Sequence, residues 1–297
     1  MSDPRCLVRT RGGCLAVVLL LSLFLQFAPR LEALIFYSSG SSTFNTSAPT
    51  GALSGSGWQF QGRWGGFLGT PVGPSHFLTA KHVGGTVGGI FSWNGTNYTT
   101  VGKVDHPTAD LTLWRVSNRF PRFAPLYTAS SEVGRSIVVF GRGLIRGAEV
   151  RVANASPLPL RGWQWGQGSG VMRWGENRVD GVVTIQGATY LASGFDRTGG
   201  VNEATLASGD SGGAVFIWDG GAWKLAGINY GVEADFAANA SQASFRAAIF
   251  DAGGLFYGAS LSKRFFIPDR PADVRAAWVA TRVSAYSAWI RSTAGLP

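Results

Sequence analysis

A serine stands among small residues in the run Ser208-Gly209-Asp210-Ser211-Gly212-Gly213-Ala214-Val215. Glycine lies two positions before Ser211 and two after it, at Gly209 and Gly213, and glycine takes backbone angles that a Cβ forbids. A serine on such a sharp turn presents its hydroxyl in the open, with backbone N–H groups converging beside it. Acyl transfer needs that pairing: a nucleophile next to donors for a developing oxyanion. Read alone, the same residues also suit an inert glycine-rich turn. A nucleophilic serine further needs a base, and the three histidines, His76, His82 and His106, all precede Ser211.

Chain order narrows the choice. An α/β-hydrolase places its histidine after the serine, and no histidine follows here. The subtilisin order needs an aspartate before the histidine. Only Asp3 precedes His82, in a segment read below as a removed leader, and Asp105 adjoins His106 too closely to serve it. The order that remains is histidine, aspartate, serine. His82 fits the first place, on a tight turn after the strand-like Phe77-Leu78-Thr79. Asp110 fits the second, because it opens the apolar run Leu111 to Val116. A carboxylate at the mouth of a buried strand must be paired or protonated, and an imidazole N–H is a natural partner. His76 and His106 read as structural.

These side chains must be positioned by a scaffold of short strands. The chain has 297 residues, 45% apolar and only 14% charged, with 42 glycines and 11 tryptophans. That balance supports a substantial core and favours strands and turns over charged helices. Residues 34–56, rich in Ser, Thr and Gly, read as an extended lead-in with turns. Strand-like runs follow in GWQFQGRWGGFLGTPV from Gly57, then at Gly89 to Trp93 and Tyr98 to Val104. Phe120 to Ser131 is a proline-containing linker. Later strands are expected at 136–140, 149–152, 178–185, 190–191, 214–218, 223–229 and 277–281. Residues 153–176 read as irregular loop, and residues 233–270 as a long connection of unassigned structure. Val283, Tyr286 and Ile290 have the spacing of a helix with one buried face.

Together these pieces resemble the trypsin/chymotrypsin-like serine protease family, over about residues 57–294. Thr79-Ala80-Lys81-His82 resembles that family's T-A-x-H turn, and Asp110-Leu111-Thr112-Leu113 its D-L-A-L strand. Gly209-Asp210-Ser211-Gly212-Gly213 is its G-D-S-G-G unchanged, and Val283 to Ile290 resembles its C-terminal V-x-x-Y-x-x-W-I helix. The resemblance implies an all-β fold of two six-stranded antiparallel β-barrels with a C-terminal α-helix. The first barrel would span about 57–128, and the second with the helix about 129–297. It implies Ser211 as nucleophile, His82 as general base and acid, and Asp110 as the carboxylate that orients His82. The backbone N–H groups of Gly209 and Ser211 would form the oxyanion hole. Thr205, six residues before the nucleophile, would lie at the base of the specificity pocket, with Tyr230 and Gly231 as pocket wall and substrate-pairing strand. Thr205 is not an acid, so a preference for Lys or Arg side chains is not expected. The family's freshly cut I-V-G-G terminus has no counterpart beyond a weak Arg63-Trp64-Gly65-Gly66. Asp210 is therefore expected to find an arginine or backbone donors.

The implied function is a secreted serine endopeptidase acting on peptide or protein substrates. The alternative is a catalytically silent member of the fold acting as a protein-binding module. A sugar-binding surface at Trp163 and Trp165 is a third reading, against which core packing of the tryptophans is preferred. Residues 1–33 read as a signal peptide: Arg5, Arg9 and Arg11 precede the apolar run Leu15 to Phe27, with Ala33 as cleavage position. Export to an extracellular or periplasmic space would follow, with no stable membrane insertion after cleavage. Both cysteines, Cys6 and Cys14, lie in that segment, so the mature chain would hold together without disulfides. Four arginines and two acids leave with it, taking the net charge from +9 to +7. The remaining basic residues are scattered, which argues against nucleic acid as a partner. No metal-ligand spacing and no cofactor motif is visible. Asn94-Gly95-Thr96 and Asn97-Tyr98-Thr99 match glycosylation sequons.

Overall fold

The computed structural model describes residues 34–152, 158–168 and 170–297. The expected signal segment, its cleavage position and both cysteines lie outside the described residues. The first element, β1 (Ile35–Phe36), belongs to the core: Leu34, Ile35 and Phe36 are fully buried. The polar stretch after it folds as turns with a single turn of 3-10 helix at Gly51–Leu53.

Six strands then close a barrel: β2 (Gly62–Trp64), β3 (Phe67–Gly73), β4 (His76–Thr79), β5 (Ile90–Trp93), β6 (Thr96–Asp105) and β7 (Thr112–Val116), in the spatial order β2-β3-β4-β7-β6-β5. Alternation explains the inward faces. Gly62 and Trp64 point in and Arg63 points out, as a half-buried strand requires. The barrel is filled by aromatic rings, with Phe77 stacked on Phe91 at 4.0 Å and Trp64 tilted on Trp114 at 4.7 Å. The β5–β6 hairpin turns on Asn94 and Gly95, both at positive φ (49° and 74°), as a tight two-residue hairpin needs.

The linker is stitched to both halves. Ala124 N–H donates to Pro71 O of the barrel, while Tyr127 N–H donates to Leu225 O of the second half. Beyond it come β8 (Ser136–Gly141), β9 (Leu144–Arg151), β10 (Leu160–Gly168), β11 (Arg173–Arg178), β12 (Gly181–Ile185), β13 (Ala188–Gly194) and β14 (Ala204–Thr205). They are followed by β15 (Ala214–Asp219), β16 (Ala222–Val232), β17 (Asp235–Ala237), β18 (Phe245–Ile249), β19 (Phe256–Tyr257), β20 (Phe265–Phe266), β21 (Ala277–Arg282) and the helix α1 (Val283–Ala294). Seven of these form an antiparallel sheet in the order β11-β8-β15-β16-β21-β13-β12. The run expected as one strand at 178–185 is broken at Val179-Asp180 into the end of β11 and the start of β12. The sheet curls there: Asp180 N–H donates to Ala192 O, and its carboxylate accepts from Gly194 N–H. Thus the all-β class, the closed first barrel and the C-terminal helix stand as the sequence implies, and the second half is a curled sheet of seven strands.

The stretch 153–176, expected as irregular loop, is largely strand. β10 pairs with β9 and with β18, and β11 begins at Arg173. Residues 153–157 of that stretch lie outside the described residues. Its glycines misled the reading. A Cβ on Gly162 would collide with Ala248 O, and one on Gly166 would press on the Gly147 backbone, so these glycines mark close strand approach rather than turns. The unassigned 233–270 connection supplies β17 to β20, which join β10 and β9 in a second, six-stranded sheet. Trp163 is buried there, beneath the Arg146 guanidinium at 3.8 Å, in a cluster with Phe195 and Phe250. It is a core residue, which removes it from any sugar-binding surface.

The helix α1 buries Val283, Ile290 and Ala294 and ends at Gly295 in the left-handed region (φ 66°). Leu296 N–H returns to Arg291 O, so the end is a glycine cap. No helix among the described residues is long and apolar enough to cross a membrane.

Asn177 and Glu203 tie β11 to β13 and β14 across the seven-stranded sheet. Asn177 Nδ2 donates to Gly194 O, Ala204 O and Glu203 Oε1, and Asp196 N–H donates to the same Oε1. Burial pushes the Glu203 carboxyl up from 4.5 to about 8. The folded chain therefore holds a proton that the unfolded chain has released. Its stabilising effect is complete below 4.5 and is lost as pH rises through about 8. Glu203→Gln keeps the accepting oxygen without the charge. Denaturant midpoints measured from pH 5 to 8.5 should fall with pH in the wild type and stay flatter in Glu203→Gln; identical slopes would contradict this assignment.

Candidate active site

Three side chains from distant parts of the chain meet between the two halves. His82 sits on a 3-10 turn (Lys81–Val83) directly after β4, and Asp110 on the turn between β6 and β7. The carboxylate grips the histidine twice: His82 N–H donates to Oδ1 at 2.8 Å, and Nδ1 lies 2.6 Å from Oδ2. An ionised carboxylate only accepts, so the Nδ1 contact calls for the tautomer with its proton on Nδ1. That leaves Nε2 as an acceptor, and Ser211 Oγ stands 2.7 Å from it. The His82 side chain is 40% exposed and that of Asp110 12%. The imidazole is therefore reachable from solvent while its carboxylate is largely sheltered.

Ser211 is fixed by its turn. Gly209 (φ 93°) and Gly212 (φ 76°) take the left-handed angles that the turn demands. A Cβ on Gly212 would strike Leu68 O and Thr79 Oγ1 of the barrel, so this glycine also sets the close approach of the halves. Among the described residues, neither the Gly209 nor the Ser211 backbone N–H donates to a protein acceptor. Gly209 is nevertheless buried. Buried donors of this kind are seldom left unpaired, and both belong to the turn that carries the Ser211 hydroxyl.

Beneath the turn lies the buried carboxylate of Asp210. It accepts from Gly143 N–H at 2.6 Å and Ala207 N–H at 2.7 Å, and the buried Arg173 guanidinium lies within electrostatic reach. Backbone donors and an arginine are the partners the sequence reading called for. Trp64, at the weak candidate terminus, is buried inside β2, which pairs on both sides. Asn229 was missed by the sequence reading. Its Nδ2 donates to Phe140 O at 2.8 Å and Asp210 O at 3.0 Å, and its backbone bonds Gly212 and Gly213. A polar amide directly after the apolar strand run Leu225 to Ile228 was the available signal.

The expected specificity residues lie on two strands, β14 and β16. Thr205 is buried in β14, opposite Ile35 of β1. Gly231 faces open space on β16, where a Cβ would meet nothing within 4 Å. Tyr230 stands with its ring edge-on to His82, the centroids 5.8 Å apart. The other histidines are structural. His106 packs on Tyr286 and Trp289 of α1 at 4.7 and 4.9 Å, and its Nδ1 accepts from Ala109 N–H. His76 pairs across β4–β7 with Arg115, and burial lowers its pKa. Among the described residues no group of His, Cys, Asp or Glu is placed to hold a metal ion.

No protein-family model matches the chain, and no curated protein matches it. Among solved structures it is similar to neuropsin, a serine protease expressed in the limbic system of mouse brain. The similarity covers 80% of this chain and 96% of that one, with 15% identity and a TM-score of 0.47. A likeness of that size carries no argument about this chain. The contacts among residues 82, 110 and 211 stand independently of it.

Asn229→Ala strips the hydrogen-bond donor from two buried carbonyls under the Ser211 turn. The expected cost is about 1–3 kcal/mol, read as a lower urea midpoint with an unchanged slope. An unaltered midpoint would mean that the amide does not brace the turn.

Proposed function

We propose that the chain is a serine endopeptidase that cleaves peptide bonds through an acyl-enzyme on Ser211. The observation that carries this reading is the continuous line from Asp110 Oδ2 to His82 Nδ1 at 2.6 Å and from His82 Nε2 to Ser211 Oγ at 2.7 Å. In this reading Ser211 Oγ attacks the scissile carbonyl as His82 Nε2 takes its proton. The carbonyl oxygen becomes an anion that accepts from the free Gly209 and Ser211 N–H groups. One such donor typically supplies about 10²–10³ in rate. The C–N bond then breaks and Nε2 hands its proton to the leaving amine. Water, deprotonated by the same nitrogen, releases the acyl group and restores the serine. Asp110 holds the working tautomer and stabilises the imidazolium throughout.

The substrate in this reading is an extended peptide lying along the open face at Gly231. Thr205 at the pocket base favours an apolar or polar side chain of moderate size over Lys or Arg, whose cation would lack a carboxylate partner. Export by way of residues 1–33 belongs to the same proposal.

Profiling on a mixed peptide library tests it. Wild type should cleave, Ser211→Ala should fall to background, and Asp110→Asn should fall by about 10⁴ with the fold intact. Equal cleavage by wild type and Ser211→Ala would overturn the assignment, and cleavage mainly after Arg would overturn the pocket reading.

A further inference from the structure

Tyr230 has a second task suggested by its geometry. β16 and β21 pair regularly except at one point. Asn229 faces Ala280 and Gly231 faces Val279, so Tyr230 is the extra residue of a bulge. A bulge turns a side chain away from the regular alternation of its strand. Here it delivers the phenol ring to the flank of His82, edge-on at 83° and 5.8 Å. Behind it stands Tyr190 of β13, almost fully buried, with ring centroids 4.8 Å apart. Burial pushes the pKa of both phenols up, so both rings stay neutral beside each other.

His82 needs such a flank. It sits on a turn of only three residues, and both of its fixed contacts on one side go to Asp110. A ring held only along that edge can swing about it into solvent and leave Ser211 without its base. We propose that Tyr230 is a positioning residue for His82, braced from behind by Tyr190. The ring contact holds the imidazole in the plane that joins Asp110 to Ser211. This inference rests on the peptidase reading for its kinetic consequences, though not for its geometry.

Hydrolysis of p-nitrophenyl acetate and proton NMR of His82 test it together. Tyr230→Leu should lower kcat by about fivefold to tenfold, the scale of one lost aromatic contact, with KM within about twofold. Tyr230→Phe keeps the ring edge and should recover most of that loss. Tyr190→Leu removes the ring behind Tyr230 and should lower kcat in the same direction, and the Tyr190→Leu/Tyr230→Leu double variant should be no worse than Tyr230→Leu alone. The Nδ1 proton shared with Asp110 should give a low-field resonance in wild type and Tyr230→Phe, and should broaden in Tyr230→Leu.

A rise in KM at constant kcat in Tyr230→Leu would make Tyr230 only a substrate contact and overturn the proposal. So would a resonance unchanged in that variant, or additive losses in the two Leu variants. Should Tyr230→Leu fail to fold, Tyr190→Leu decides alone: a lowered kcat with a broadened resonance supports the proposal, and both unchanged would overturn it. Should wild type hydrolyse nothing while the resonance still depends on the Tyr230 ring, the peptidase reading fails and the positioning role stands.

Discussion

The contact between His82 Nε2 and Ser211 Oγ joins residues 129 positions apart, one from each half of the molecule. A hydrogen bond of this kind contributes only about 0.5–1.5 kcal/mol net, too little to align two halves. Alignment must come from packing, and it does. One continuous apolar cluster holds Leu68, Leu78 and Leu113 of the barrel together with Phe140, Phe216 and Ile228 of the second half. The linker, bonded to Pro71 on one side and Leu225 on the other, fixes their relative position. The helix α1 belongs to the second half by its chain and to the first by its contact with His106. That His82 meets Ser211 across an interface is thus a consequence of a shared core.

Three buried polar side chains, Asp210, Asn229 and Glu132, find close partners. Asp210 carries a charge where burial alone would be costly, and short backbone bonds with a nearby guanidinium compensate it. Asn229 spends its amide on carbonyls of β8 and of the nucleophile turn. Glu132, fully buried, is met by both Arg282 nitrogens and by Ser284, and these bonds outweigh the upward push of burial on its pKa. At the Ser211 turn the backbone N–H groups of Gly209 and Ser211 have no protein acceptor among the described residues.

Much of the site was legible because its chemistry is local in sequence. The Gly-Asp-Ser-Gly-Gly turn needs its glycines for backbone angles, the T-A-x-H turn ends a strand, and Asp110 opens one. Each of these is a short-range requirement written in adjacent residues. The C-terminal helix was legible for the same reason, since Val283 and Ile290 repeat at helical spacing. The second, six-stranded sheet was not. Its strands β17, β19 and β20 are two or three residues long, too short to show alternation. Its longest strand, β10, looks like loop because Gly162 and Gly166 make room for neighbouring backbones. Such glycines are explained only by what lies across the sheet. Tyr190 was missed for a similar reason: its meeting with Tyr230 depends on a bulge in another strand. The burial of Leu34 to Phe36 depends on pairing with β14, 169 residues or so further on.

The central claim is that Ser211 Oγ is a nucleophile made reactive by His82 and Asp110. The most direct measurement is covalent capture by a fluorophosphonate, followed by peptide mapping of the adduct by mass spectrometry. The account expects one adduct per chain on Ser211, slowed strongly in His82→Ala and absent in Ser211→Ala. An adduct that maps elsewhere, or that forms on Ser211 as fast without His82 as with it, would contradict the account.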